Sequence, residues 1–474
     1  LAWGKFYATN EPYGSEKIDN TVHFRIEDTV IITGIALGIV LGIVMQRGRF
    51  CVTGMLRDIS LAHTWRPFTA LLIVIAIHAV GIAGLTAAGV IQPEYDPFAP
   101  YAVVIGGFVF GIGIVLAGGC ASGTWYRSGE GLVGSWFALL FYGLSAAAMK
   151  AGALGGLNSW LRDKTVNLTT IHGSLGLSVW WLAIPFAALT AGLAVYFLQN
   201  ESTPVSLQRG WKKPLHLYTA GVLVGILGVI AWPLSAAAGR NDGLGITSPT
   251  ANLTKFIVTG DSGRVDWGVM LVLGILVGSF IAAKATGEFR VRVPDATQTV
   301  KSIVGGTLMG IGAAWAGGCT VGNGMVQTSL FTYQGWVALL AIAAGVFTAA
   351  KIWLKPTKSA APAVPATSEG EHVGTFNLNA PVLGGSAVAV ATATELREVA
   401  PAVFALDTLG SVCPFPLIDA KQAMNELEPG ECLRIDFDCT QATESIPRWA
   451  ADEGYEVTDF HEVGDAGWRI TVKK

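Results

Sequence analysis

Long apolar runs separated by short polar loops fill the chain from residue 28 to residue 354. Nine of them reach the length an α-helix needs to cross a hydrocarbon core of about 30 Å. They are residues 28–46, 67–91, 101–118, 131–150, 178–198, 215–235, 267–286, 300–316 and 335–354. After residue 400 the pattern changes. "VFALD", "ECLRIDFD", "YEVTDFHEV" and "WRITVK" alternate with period two, and helical patterns fall between them. The order β-α-β-α-β-β predicts a small two-layer α/β domain. Residues 356–400 are rich in Ala, Pro, Ser and Thr, the composition of a flexible linker. Residues 1–27 are polar and mildly acidic, and the chain opens on Leu1, so an initiator methionine is expected before it. The expected plan is therefore a terminal segment (1–27), a helical membrane domain (28–355), a linker (356–400) and a soluble domain (401–474).

The membrane part repeats itself. "GGFVFGIGIVLAGGC" (106–120) aligns without a gap on "GGTLMGIGAAWAGGC" (305–319), and "WFALL" (136–140) matches "WVALL" (336–340). Residues 28–150 thus pair with 215–354, with one span inserted between them. A shift of five spans is odd, so the halves take opposite topology. Inverted repeats are a common transporter design, with the solute held near mid-membrane where the repeats meet.

Charge adds orientation. Only 14% of residues are charged, against roughly 25% in soluble domains. The net charge of -3 argues against a nucleic-acid partner. Basic residues gather in the loops at 47–66, 199–214 and 284–301 and after 351. That places the N-terminus outside and the C-terminus in the cytoplasm. One loop dissents: Lys150, Arg162 and Lys164 fall on the expected outer side.

Each repeated run ends in two glycines and a cysteine. Adjacent glycines break a helix, and broken backbone at membrane depth survives only inside protein or along a wet cavity. Residues 119–130 and 318–328 are therefore expected to be re-entrant pieces, one from each side, bringing Cys120 and Cys319 together. Each cysteine should precede a short helix, whose free N–H groups favour anions. Cys51 follows the basic turn "MQRGRFC" at a third break. A thiol is a weak donor, suited to a polarizable guest such as an anion carrying sulfur or selenium. Cysteine is also an ordinary buried packing residue, and that reading stands beside the functional one. His78, in the second span, either lines the route or bonds a neighbouring carbonyl. The six cysteines show no C-x-x-C and no zinc spacing, and no phosphate-binding loop is present. No metal or cofactor is expected, and the thiols are expected to be reduced.

"RGRFCVTGMLRD", "GGCASGTWYRSGEG" and "GGCTVGNGM" resemble the three cysteine motifs of the YeeE/YedE family of sulfur-transport membrane proteins. The resemblance covers about residues 28–354. It implies a protein of the bacterial inner membrane, immersed in its lipid, that takes up thiosulfate. Cys319, Cys120 and Cys51 would relay the anion from outside to inside through S–H···S contacts.

In the tail, Cys413 stands at a strand-to-helix turn stiffened by Pro414 and Pro416. A thiol at a helix N-terminus is the more reactive for it. "CPFP" in that setting resembles the sulfur-carrier motif of the TusA-like family. The resemblance implies that Cys413 acts catalytically or as a carrier, accepting sulfur as a persulfide or attacking thiosulfate. Cys432 and Cys439 read as core or strand-end residues. The tail is expected to dock on the cytoplasmic face and to hand sulfur to a downstream acceptor. Two other readings stay open: a membrane-anchored sulfurtransferase, and a permease for another sulfur or selenium oxyanion.

Overall fold

A computed structural model describes residues 20–61, 63–95, 97–201, 205, 207, 210–294, 296–354, 396–411, 414–464 and 467–474. The first repeat runs α1 (Asn20–Arg47), α2 (Val52–Leu61), α3 (Arg66–Ala87), α4 (Pro100–Leu116), α5 (Ala121–Gly129) and α6 (Val133–Ala151). Two short helices, α7 (Gly155–Arg162) and α8 (Ile171–Ser174), lead to the inserted span α9 (Trp180–Gln199). The second repeat follows with α10 (Leu217–Ala237), α11 (Thr247–Thr259), α12 (Trp267–Thr286), α13 (Ala296–Ala316), a π-helical turn (Gly322–Gln327) and α14 (Tyr333–Trp353).

Neighbour pairs carry the repeat symmetry. α1 packs along α12, and its counterpart α10 packs along α3. α6 lies against α13, and α14 lies against α4. α4 and α13, the aligned pair, face each other at the centre. Exchanging the two halves maps each contact onto another. Glycine makes these approaches possible: a Cβ at Gly38 would meet the Leu271 carbonyl and lie 2.9 Å from Gly274 Cα. Small residues at such crossings replace the hydrophobic drive that helices lack in lipid.

Among the described residues, eight segments are long and apolar enough to cross a membrane. Two of them, Ile32–Leu61 and Pro100–Gly129, each include a chain break and the short helix beyond it. The ninth expected span, 300–316, lies within α13 but is not among them. Thr297, Gln298, Thr299 and Lys301 make the first turns of that helix polar.

The tail folds as β1 (Arg397–Ala400), β2 (Val403–Asp407), α15 (Phe415–Glu426), β3 (Cys432–Phe437), α16 (Ala442–Asp452), β4 (Glu456–Val463) and β5 (Gly467–Lys473). The sheet order is β1-β2-β3-β5-β4. β2 and β3 run parallel, and the other pairs are antiparallel. Leu433, Ile435, Phe437, Ile470 and Val472 alternate inward from β3 and β5 to form the core with Met424 and Ile446. β1 is a strand the sequence pattern did not reveal; all four of its residues are exposed, so no burial alternation marks it.

Candidate functional site

Each membrane thiol stands at the amino end of a short helical piece. α4 stops at Leu116, and Gly118 turns the chain at φ +72°. Cys120 then caps α5, its Sγ accepting from the Gly123 N–H at 3.4 Å. In the second repeat α13 stops at Ala316, and Gly317 turns at φ +76°. There the Cys319 carbonyl accepts from Asn323 N at 2.8 Å as the π-helical turn begins. A left-handed glycine is the usual way to end a helix, which is why both repeats keep one at the same place. Cys51 precedes α2, with Met55 N donating to its carbonyl at 3.1 Å. All three thiols are free and buried.

The freed carbonyls at each break are answered by a side chain from beyond it. The Arg127 guanidinium donates to the Gly118 carbonyl. Asn323 Nδ2 donates to the carbonyls of Ala316 at 2.9 Å and Gly318 at 3.0 Å, and Gln334 Nε2 donates to Asn323 Oδ1 at 3.0 Å. Buried polar backbone must be paired, or it costs about 1–3 kcal/mol per group.

Cys51 and Cys120 come together. A Cβ added at Gly123 would lie 3.3 Å from Cys120 Sγ and 3.6 Å from Cys51 Sγ. Cys319 is not part of that meeting point; Tyr142 of α6 is wholly buried. Its O–H donates to Thr247 Oγ1 at 2.7 Å. Nothing in the linear pattern singles out Tyr142, because it sits in an ordinary apolar span.

Basic groups cluster at the Cys319 end. Arg162 Nη1 donates to the Trp315 carbonyl at 3.1 Å, beside the break, and Lys150 Nζ donates to Ser248 Oγ at 2.5 Å. These are the residues whose charge dissented from the loop rule. At the Cys51 end a buried ion network ties three elements. Arg49, at φ +49°, binds Glu130 Oε1 at 3.1 Å and Glu288 Oε1 at 2.7 Å. Gln46 Nε2 donates to the same two carboxylates at 3.1 and 2.7 Å. Burial pushes the Glu130 carboxyl above its ordinary range. Burial acts on Glu288 in the same sense, but Arg49, Gln46 and Arg47 outweigh it and hold that carboxyl low.

A cavity of about 210 Å³ separates this end from the tail. Arg49, Cys51 and Arg57 line it from the bundle; Lys421, Glu444 and Arg448 line it from α15 and α16. Pro414 also borders it. Further contacts join the two parts: Gln441 Nε2 donates to Tyr126 Oη at 3.5 Å, and Lys301 sits 5.6 Å from the centre of the Phe415 ring. Cys413, the expected sulfur-handling thiol, lies outside the described residues, as does most of the linker. The expectation of reduced thiols holds for Cys51, Cys120, Cys319 and Cys432 and fails at Cys439, which is disulfide-bonded. His78 is wholly buried in α3 and packed against Gly228. No cluster of metal-binding side chains occurs among the described residues.

A glycine-broken helical bundle with buried thiols at its breaks, joined to a small α/β domain, defines a multi-pass membrane protein of sulfur transport. The chain belongs to the Sulphur transport family, whose pattern matches residues 47–348, and its tail matches the family Sulfurtransferase TusA over residues 405–474. Among its relatives, a protein named thiosulfate transporter TsuA from Escherichia coli is 46% identical over 342 residues, covering 70% of this chain and 97% of that protein. Another of that name from Spirochaeta thermophila is 35% identical over 337 residues, covering 68% of this chain and 99% of that protein. The tail is 59% identical over 69 residues to a putative sulfur carrier protein, TsuB, of E. coli; the match covers 15% of this chain and 92% of that protein.

Proposed function

We propose that this chain carries thiosulfate into the cytoplasm across the bacterial inner membrane and delivers it to its own sulfur-handling tail. The observation that carries the reading is the meeting of Cys51 and Cys120 at Gly123, with Cys51 also bordering the cavity roofed by α15 and α16. Names borne by relatives of nearly full length supply the cargo.

In this reading the N-terminus is outside. Lys150 and Arg162 draw the dianion toward Cys319. Its terminal sulfur accepts a weak S–H contact there, passes Tyr142, and moves to Cys120 and then Cys51. Neutral thiols suit this work, because weak serial contacts let an anion leave as readily as it arrives. The N–H groups at the amino ends of α5 and α2 supply the complementary positive field without fixed charge. At Cys51 the anion enters a chamber bordered by Arg49, Arg57, Lys421 and Arg448. Cys413, next in sequence to Pro414 at the chamber wall, acts as the free thiolate, any disulfide of the tail having first been opened by a cytoplasmic thiol reductant, and attacks the outer sulfur. The S–S bond of thiosulfate breaks, sulfite leaves with the electron pair, and a cysteine persulfide remains for a downstream acceptor. The family description of the tail favours such transfer chemistry over a passive lid. Tethering holds the tail's local concentration near the millimolar range.

The test is uptake of labelled thiosulfate by cells lacking their own transporter. C51A, C120A and C319A should each abolish it, and C413A should slow net accumulation by blocking the acceptor. Normal uptake in all three membrane variants would refute the relay. Sulfur transfer by the purified chain with no uptake would favour the anchored enzyme. Stronger competition by selenite or sulfite than by unlabelled thiosulfate would favour a different cargo.

A further inference from the structure

The thiol route leaves a second chamber unused. It measures about 280 Å³ and also lies between the bundle and the tail. Arg127, Arg290 and Arg292 face it from the bundle, and Ser411, Asp438 and Thr440 from the tail. The tail residues belong to the loops that follow β2 and β3, the parallel pair. The crevice beyond the carboxyl ends of parallel strands is where α/β sheets bind ligands.

Three observations give the chamber its chemistry. Arg292 Nε and Nη2 are buried and have no hydrogen-bond partner among the described residues, an arrangement that costs free energy unless something accepts from them. The backbone that carries Arg292 is pinned: its N–H donates to Gly131 O at 3.0 Å, and its carbonyl accepts from Val133 N at 3.0 Å. The guanidinium centres of Arg290 and Arg292 lie 4.7 and 5.9 Å from the Trp468 ring. A ring against a guanidinium face leaves the N–H edge for an in-plane acceptor. Among the described lining residues, Arg292 shares the chamber with two carboxylates, Glu130 and Asp438, and Glu130 is already engaged by Arg49 at 3.1 Å.

We propose that this chamber is a second anion site, which takes a small sulfur oxyanion by its oxygens at Arg292 and Arg290 rather than by its soft sulfur. The inference rests on the transport reading above and deepens it. Gln441 borders both chambers. Pro414 borders the first and Ser411 the second, so the two sequence flanks of Cys413 face different chambers. One oxyanion chemistry has two sources here: thiosulfate awaiting attack, or the sulfite that the attack releases.

Calorimetric titration of the purified full chain tests the site with sodium sulfite, sodium thiosulfate and sodium sulfate as probes. Saturable sulfite binding is expected in the wild type and in C51A and C413A, because the site uses no thiol. R292Q should weaken it at least tenfold, since it removes a charged fork; R292K, which keeps the charge but loses the fork, should fall between. Tighter sulfite than thiosulfate binding in C413A assigns the chamber to the released anion, and the reverse order assigns it to the delivered one; either supports the site. Absence of saturable binding of both anions to folded wild type overturns it, as does unchanged binding in R292Q and R292K. Should R292Q fail to elute as a folded protein, R292K against wild type decides alone. A wild-type chain that binds sulfite saturably but takes up no labelled thiosulfate would instead count against the transport reading.

Discussion

Replacing Gly123 with alanine should separate stability from transport. Gly123 is the third residue of α5, with no left-handed backbone to protect. Outside its own helix backbone and chain neighbours, the atoms of the described residues within 4 Å of its added Cβ are Cys120 Sγ at 3.3 Å and Cys51 Sγ at 3.6 Å. The 3.3 Å approach to Cys120 Sγ is tighter than an ordinary contact, so that thiol must give way by a few tenths of an ångström. In the helix, alanine in place of glycine contributes about 0.5–1 kcal/mol of stability. On the proposed route, the methyl stands where a guest would touch both sulfurs. Each lost contact removes about 1 kcal/mol, so together they slow passage roughly 30-fold. Initial rates of labelled thiosulfate uptake, measured with a thermal melt of the same preparation, read both effects. The helix gain and the tight contact offset each other, so the expected G123A result is a melting temperature within a few degrees of wild type with uptake reduced by an order of magnitude or more. Uptake within twofold of wild type in a folded G123A protein would refute the idea that the anion passes between these two sulfurs.

Other outcomes follow from the same geometry. N323A strips the partners from the Ala316 and Gly318 carbonyls at the second break; a loss of about 2–3 kcal/mol should lower the melting temperature by several degrees. R49M leaves Glu130 and Glu288 buried without their shared cation, a cost of about 3–5 kcal/mol; adding E130Q and E288Q should recover much of it in the same melt. Docking of the tail should strengthen in acid. Burial, the largest influence on Glu444 and on Asp438, raises both carboxyls above their ordinary values even though arginines oppose it. The docked form therefore holds these protons more tightly. Its advantage is fully present below the ordinary carboxylate range and is lost as pH rises through the raised values. Energy transfer between labels on α14 and α16 across that range would show it, and docking that weakens in acid would contradict it.

The sequence made some of this legible and hid the rest, for physical reasons. Cys120 and Cys319 stood out because a broken helix needs glycine at one fixed place, and a gapless repeat displays that need twice. Their positions ahead of α5 and the π-helical turn followed from the same break. Arg49, Glu130 and Glu288 form one network from positions far apart in the chain, so no local period reveals it. The available signal was a lone carboxylate directly after glycine at the end of an apolar run, as in "SGEG" and "TGEF". Loop charge gave an orientation but could not explain Lys150 and Arg162, whose place beside the second break is a tertiary fact. The expected span 300–316 falls within α13, whose polar first turns adjoin a strongly apolar end. The pairing of Cys51 with Cys120 depends on how the repeats fold onto each other, which spacing alone does not encode.

The glycine contacts between the long helices also bear on how anything gets through. Gly38 and Gly42 of α1 press on the main chain of α12, and Gly274 and Gly278 press back on α1. Backbones that already touch have no slack in which to slide or tilt. Such contacts fix α1 against α12, so on the proposed thiol route the motion that moves cargo falls to thiol rotamers and the short helices behind them. Spin-label distances between α1 and α12 should accordingly stay the same whether or not thiosulfate is flowing, as in a sieve and unlike a rocking gate.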